Sequence, residues 1–105
     1  MSYPERTMDG EGYPTEEYLE WIKNYDTVEN SPFEFLQMVL DDWQYGDYGW
    51  RIQRKYRGER KVYVSTCGWS GNEDMMYALQ ENTLFWMQCY YSHRTGGHYC
   101  FRFTR

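Results

Sequence analysis

The stretch TCGWSGNED, Thr66 to Asp74, sets Trp69 between glycines immediately before residues with helical spacing. A helix N-terminus presents unpaired N–H groups and a partial positive charge, and flanking glycines let a ligand approach that backbone closely. Such a corner accepts an anion. Trp69 beside it could stack on a base or a sugar, while Asn72 and Glu73 could hydrogen-bond a base edge or a ribose hydroxyl. Trp69, Ser70, Gly71, Asn72 and Glu73 are therefore candidate contacts to a nucleotide-like anion. The stretch has neither the Gly-Lys-Ser/Thr of a P-loop nor a dinucleotide fingerprint. The competing reading is a tight strand-to-helix turn in which Trp69 fills the core. Ser70 and Glu73, at S-x-x-E spacing, then form only a capping box.

Catalysis would need a nucleophile with its base, paired carboxylates or metal ligands at a workable spacing. His93 and His98 flank a glycine turn and fit no triad or zinc pattern. Cys67 could approach His98 across a sheet, but a cysteine near a strand end is ordinarily a small buried hydrophobe. The three cysteines, Cys67, Cys89 and Cys100, are odd in number and lack CxxC spacing, so reduced thiols are expected and no disulfide framework or zinc site is. The expectation is a binding protein with no catalytic residues, metal or cofactor.

A chain of 105 residues bounds the fold to one domain. Its 12 tyrosines and 5 tryptophans exceed what one small core can hide with every polar ring atom satisfied, which favours an aromatic binding surface. The net charge of -5 conceals a split: up to Asp47 only Arg6 and Lys23 offset twelve carboxylates, whereas from Tyr48 onward nine bases face four acids. Two solvated faces of opposite sign would explain this, as would an acidic half that contacts a protein and a basic half that receives an anion. Long nucleic acid is not an expected partner, because the acidic half would repel its phosphates. No apolar run is long enough for a membrane span and the polar N-terminus is unlike a signal peptide, so a cytoplasmic location is expected.

These residues must be positioned by a small set of elements. Residues 1–13 carry Pro4, Gly10 and Gly12 and read as an arm, ordered by Tyr3 and Tyr13 docking on the body, before a single domain over 14–105. Thr15 caps a helix with Tyr18, Trp21, Ile22 and Tyr25 at i, i+3, i+4, i+7. Ser31 and Pro32 start a second, with an apolar face of Leu36, Val39, Leu40 and Trp43 and Gly46 as its stop. The segment 49–66 alternates, with Trp50, Ile52, Arg54 and Tyr56 on one face and Arg51, Gln53, Lys55 and Arg57 on the other: a hairpin with a basic outer face, turning at Gly58 before Val62 and Val64. A third helix runs from Ser70 to Glu81 and ends at Asn82. TLFWMQCYYS and HYCFRFT, joined by HRTGG, predict a second hairpin. The order α-α-β-β-α-β-β suits an α+β domain, a four-stranded, mainly antiparallel sheet with helices on one face.

Strict alternation in that second hairpin separates Phe85, Met87, Cys89, Tyr91, Tyr99, Phe101 and Phe103 as core from Trp86, Gln88, Tyr90, His98, Cys100 and Arg102. Trp86, Tyr90, His98 and Arg102 thus make a second set of candidate ligand contacts. Alternatively the arm, or a second copy of the chain in a homodimer, covers Trp86 and Tyr90.

STCGWSGNEDMMYALQENTLFWM and RTGGHYCFRF, with YPTEEYLEWIKNYD upstream, resemble a widespread set of small uncharacterised phage proteins that carry a Gly-Trp-Ser-Gly-Asn-Glu segment, a Phe-Trp strand and a Gly-Gly-His-Tyr turn. Cys67 departs from that pattern, where a glycine is expected. The resemblance implies a virus-encoded accessory protein of the host cytoplasm that acts by binding. The expected role is counter-defence by sequestering a nucleotide-like anionic small molecule. The alternative is an anti-CRISPR-like inhibitor that occupies a host defence protein with its acidic, aromatic helices, through Glu16, Glu17, Glu20, Asp41, Asp42 and Tyr48.

Overall fold

The computed structural model describes residues 3–44, 49–54 and 58–104. Helix α1, Glu16–Asn24, begins where Thr15 Oγ1 accepts the Tyr18 N–H at 3.1 Å, and it buries Tyr18, Trp21 and Ile22. Helix α2, Pro32–Leu40, has Ser31 as its cap and buries Phe33, Phe35, Leu36, Val39 and Leu40. It stops earlier than the apolar spacing suggests. Asp41 is the C-cap, and tighter bonds from Asp42 to Val39 and from Trp43 to Leu40 close the last turn. Trp43 is buried beyond the helix and donates its indole N–H to Ser65 O at 2.8 Å. Gly46, Tyr48, Lys55, Tyr56 and Arg57 lie outside the described residues.

Strands β1 (Trp50–Arg54), β2 (Arg60–Ser65), β3 (Tyr90–Arg94) and β4 (His98–Phe103) form a four-stranded sheet in the order β1-β2-β4-β3, antiparallel throughout. Val62, Val64, Phe101 and Phe103 point to the helices and are buried. Rings join the layers: Phe85 lies 5.3 Å from Phe35 and 5.4 Å from Phe101, and Phe35 stacks on Tyr25 at 4.4 Å. This is the α+β architecture that the chain's periodicities predict.

One element differs. After helix α3, Ser70–Glu81, residues expected to begin a strand form helix α4, Thr83–Cys89. Asn82 ends α3 and at once caps α4, its Oδ1 accepting the Phe85 N–H at 3.1 Å. Phe85 and Cys89, four apart, are buried, whereas Met87, which strict alternation assigns to the core, is 80 % exposed. Burial of that face overrides the strand preference of an aromatic-rich segment. The chain turns extended only at Tyr90, and a bulge between Tyr90 and Ser92 shifts the register against β4.

The arm is folded back on the body. Asp9 Oδ1 accepts the N–H groups of Glu11 at 2.8 Å and Tyr13 at 3.0 Å, and Met8 bridges Pro14. The Tyr13 bond, foremost among these, holds the Asp9 carboxyl below its usual range. Tyr3 packs edge-on against Trp21 at 4.9 Å, and Tyr13 stacks on Trp69 at 5.1 Å.

Cys67 adopts a left-handed conformation, φ 57°, followed by Gly68 at φ 72°. A side chain there costs roughly 1–2 kcal/mol, and a glycine returns about 0.5–1 kcal/mol of that as extra unfolded-state freedom. Cys67→Gly is therefore expected to leave stability unchanged or raise it by up to about 1 kcal/mol. Urea unfolding of the variant checks this; a clear loss would mean that the thiol contact to Ser65 O, 3.7 Å long, matters more than the strain.

Candidate functional site

The corner at the start of α3 is filled by the chain itself. Trp69 is the N-cap residue and makes no side-chain cap, so the expected Ser70–Glu73 capping box does not form; Ser70 already sits inside the helix. The Trp69 ring stacks with Tyr13 and lies so close to Gly71 that a Cβ there would come within 2.1 Å of it. Asn72 is fully buried and its amide turns inward, accepting the Gln44 N–H at 3.0 Å and donating to Gln44 O at 3.0 Å and Thr66 O at 3.2 Å. Ser70 is exposed and Glu73 half-buried.

The second candidate set is divided by the sheet. Trp86 stacks on Tyr90 at 4.7 Å and packs edge-on against Phe101 at 5.5 Å, on the helix side. Tyr90 pairs with Phe101 and its hydroxyl hydrogen-bonds His93 Nδ1. His98 and Arg102 point the other way, His98 opposite Ser65 and Arg102 opposite Lys61. Helix α4 and the bulge are the reasons, since either one breaks the alternation that would place all four residues on one face.

The residues that do converge are those of the outer sheet face. Alternation from Arg51 and Gln53 continues through their partners Tyr63 and Lys61 to Cys100 and Arg102, and on to Ser92 and Arg94. Among the described strand positions on this face none is acidic. A groove of about 420 Å³ opens here, lined by Arg51, Tyr63, Ser65, Ser92, Arg94 and His98, with the buried Cys100 beneath. The Arg51 guanidinium lies 4.3 Å over the Tyr63 ring, whose hydroxyl is hydrogen-bonded to Gln53 Oε1 at 3.1 Å, so ring and cation are both held. Toward the far end Lys61 Nζ sits 4.3 Å over the Tyr91 ring, and Arg102 lies 6.0 Å from it while pairing with Glu59 at 3.3 Å.

Burial pushes the Cys100 thiol up, and Lys61, the Tyr63 hydroxyl and Arg51 pull it partly back. Burial also pushes Cys89 up to about 12, so both are thiols at neutral pH. Cys67 is exposed, and among the described residues no hydrogen bond joins it to His98. Among those residues, too, no three His, Cys, Asp or Glu side chains converge as a metal site, and no helix is long and apolar enough to cross a membrane.

The acidic helices present Glu16, Glu17 and Glu20 to solvent from α1, with Asp41 exposed and Asp42 half-buried at the end of α2. The charge split along the sequence separates only in part: the acidic helices lie on one side of the sheet and Arg51, Lys61, Arg94 and Arg102 on the other, while Arg54 and Arg60 face the helices, Arg60 3.8 Å over the Phe33 ring. Arg51 is legible in the sequence as part of a basic outer face, whereas the places of Tyr63, Ser65, Ser92 and Arg94 on that face come from the strand pairing. Extending the same alternation past Val62 and Val64 reaches Lys61, Tyr63 and Ser65, whereas Ser92 and Arg94 depend on the bulge.

Comparison with protein-family models, with curated proteins and with solved structures finds no match to this chain.

Proposed function

We propose that the protein binds a nucleotide-like anionic ligand in the groove on the open face of its sheet. The observation that carries this reading is the Arg51–Tyr63 pair, a planar cation on a ring beside Arg94 and His98, on a face whose described strand positions include no acidic residue. A guanidinium over a ring offers a flat surface on which a base can stack, and Arg94, His98, Ser65 and Ser92 supply donors for phosphate oxygens. The acidic helices on the other side of the sheet orient the molecule's field so that an anion approaches the basic face. In the phage setting that the sequence resembles, such binding would withhold a nucleotide signal from a host defence protein.

A thermal-shift screen at low salt against mono-, di- and cyclic nucleotides tests the reading. A ligand at 100 times its Kd adds about 2.7 kcal/mol to folding stability, worth several degrees in a domain of this size. Arg51→Ala with Arg94→Ala is expected to abolish the shift, and Trp69→Ala is expected to retain it. A flat screen, or a shift that survives loss of both arginines and disappears with Trp69, would refute the proposal.

A further inference from the structure

We infer that the ligand is a short single strand of nucleic acid, at least two nucleotides long, laid across the sheet; this rests on the nucleotide reading above. The face carries the same chemical unit twice. At β1 and β2 the Arg51 cation covers the Tyr63 ring, and at β2 and β3 the Lys61 cation lies over the Tyr91 ring, with Arg102 of β4, paired to Glu59, 6.0 Å from that ring. Each unit pairs a stacking surface with a cation, which is what one base with its phosphate requires. A single nucleotide engages one unit and leaves the other unused.

The spacing supports a strand rather than a monomer. Three interstrand steps of about 4.8 Å separate β1 from β3, so the face is about 14 Å across. Tyr91 is half-exposed at 49 % and Arg102 is exposed, so this second unit is accessible to a ligand leaving the groove. The bulge at Tyr90 and Ser92 is what turns Tyr91 onto this face, beside Lys61. Stacking tolerates any base, and the cations track the backbone, so the recognition is of single-stranded chemistry more than of sequence. A duplex hides the ring faces of its bases, and the acidic helices oppose its second backbone. A short strand therefore satisfies the face where a long duplex does not.

Fluorescence anisotropy with labelled oligo-dT and oligo-U of one, two, four and eight nucleotides tests this. Affinity is expected to rise at least tenfold between one and four nucleotides, with a log–log salt slope of about −2, the value for three neutralised phosphates on a single strand. Tyr91→Ala, at an exposed position that threatens no core, and Arg102→Ala are each expected to remove about tenfold of the tetranucleotide affinity while leaving mononucleotide binding unchanged. Either sugar supports the inference, and a preference between them identifies RNA or DNA. Equal binding of one and eight nucleotides, still dependent on Arg51, would overturn the strand and leave the nucleotide reading standing. Tighter binding of a blunt duplex than of either strand would also overturn it. Absence of binding at every length would remove both.

Discussion

Asn72→Ala is expected to lower the unfolding free energy by about 2–4 kcal/mol, with the nucleotide response of the folded protein unchanged. The side chain is fully buried and its three hydrogen bonds hold the segment after α2, at Gln44, and the segment before α3, at Thr66. Alanine leaves the Gln44 N–H and carbonyl, at a part-buried contact, without their partner, and it empties a fully buried side-chain site; an unmet polar group costs about 1–3 kcal/mol. The Thr66 carbonyl keeps the Trp69 N–H at 3.1 Å, which limits the loss there. Asn72→Asp retains the acceptor and faces two carbonyl oxygens with a carboxyl in place of an amide, so it is expected to recover little. Thermal unfolding checks the size, at roughly 4 °C or more per kcal/mol in a domain of this length. A stable Asn72→Ala protein that no longer responds to nucleotides would return Asn72 to the ligand.

Asn82→Ala is expected to cost a similar amount, about 2–4 kcal/mol, through a different set of contacts. Asn82 Oδ1 caps α4 at the Phe85 N–H, and its Nδ2 donates to Ile22 O at 2.8 Å and Tyr25 O at 3.0 Å at the end of α1. One residue thus ends α3, starts α4 and bonds two carbonyls at the end of α1, those of Ile22 and of the cap Tyr25. Loss of the cap alone accounts for about 1 kcal/mol, and two carbonyls deprived of a donor, one at a buried and one at a part-buried contact, supply the rest. Asn82→Ser keeps a capping oxygen and lacks the reach to both carbonyls, so an intermediate loss is expected. Chemical denaturation of the three proteins orders them; equal stability of the wild type and the alanine variant would contradict the latch.

The same two asparagines show which parts of the fold the sequence carries openly. Caps at Thr15 and Ser31, with apolar residues at helical spacing behind them, are local signals, and α1 and α2 start where those signals lie. The sheet's alternation at Trp50 to Arg54 is equally local, and so is the glycine turn before His98. The segment 83–89 is ambiguous by periodicity, because Phe85 and Cys89 satisfy both a spacing of four and an alternation of two. Met87 between them decides the matter, and its exposure depends on how α4 meets the sheet. From the chain alone, Asn82 is legible as a stop and not as the start of the next helix.

The site was harder to place for a related reason. Glycines around Trp69 indicate a close approach, and the structure shows what approaches: its own indole ring over Gly71, with Tyr13 of the arm stacked against it. A local motif cannot distinguish a ligand from a neighbouring part of the same chain. The basic outer face required long-range pairing, since β4 lies between β2 and β3 and brings His98 beside Ser65 and Arg94. Its raw materials, alternating bases and tyrosines with few acids among them, are present in the second half of the sequence. The bulge that puts Tyr91 and Ser92 on this face has no comparable sequence signal.

Binding of a phosphate-bearing aromatic ligand on the open sheet face, and not at the start of α3, is the proposal on which the rest depends. Its most direct test is a titration of the isotopically labelled protein with a nucleotide, followed by amide chemical shifts. Saturable changes are expected, concentrated at Arg51, Tyr63, Ser92, Arg94 and His98, with Trp69 to Glu73 and the exposed acids of α1 unmoved. Changes confined to Trp69 to Glu73, or spread along α1 at Glu16, Glu17 and Glu20, would contradict it.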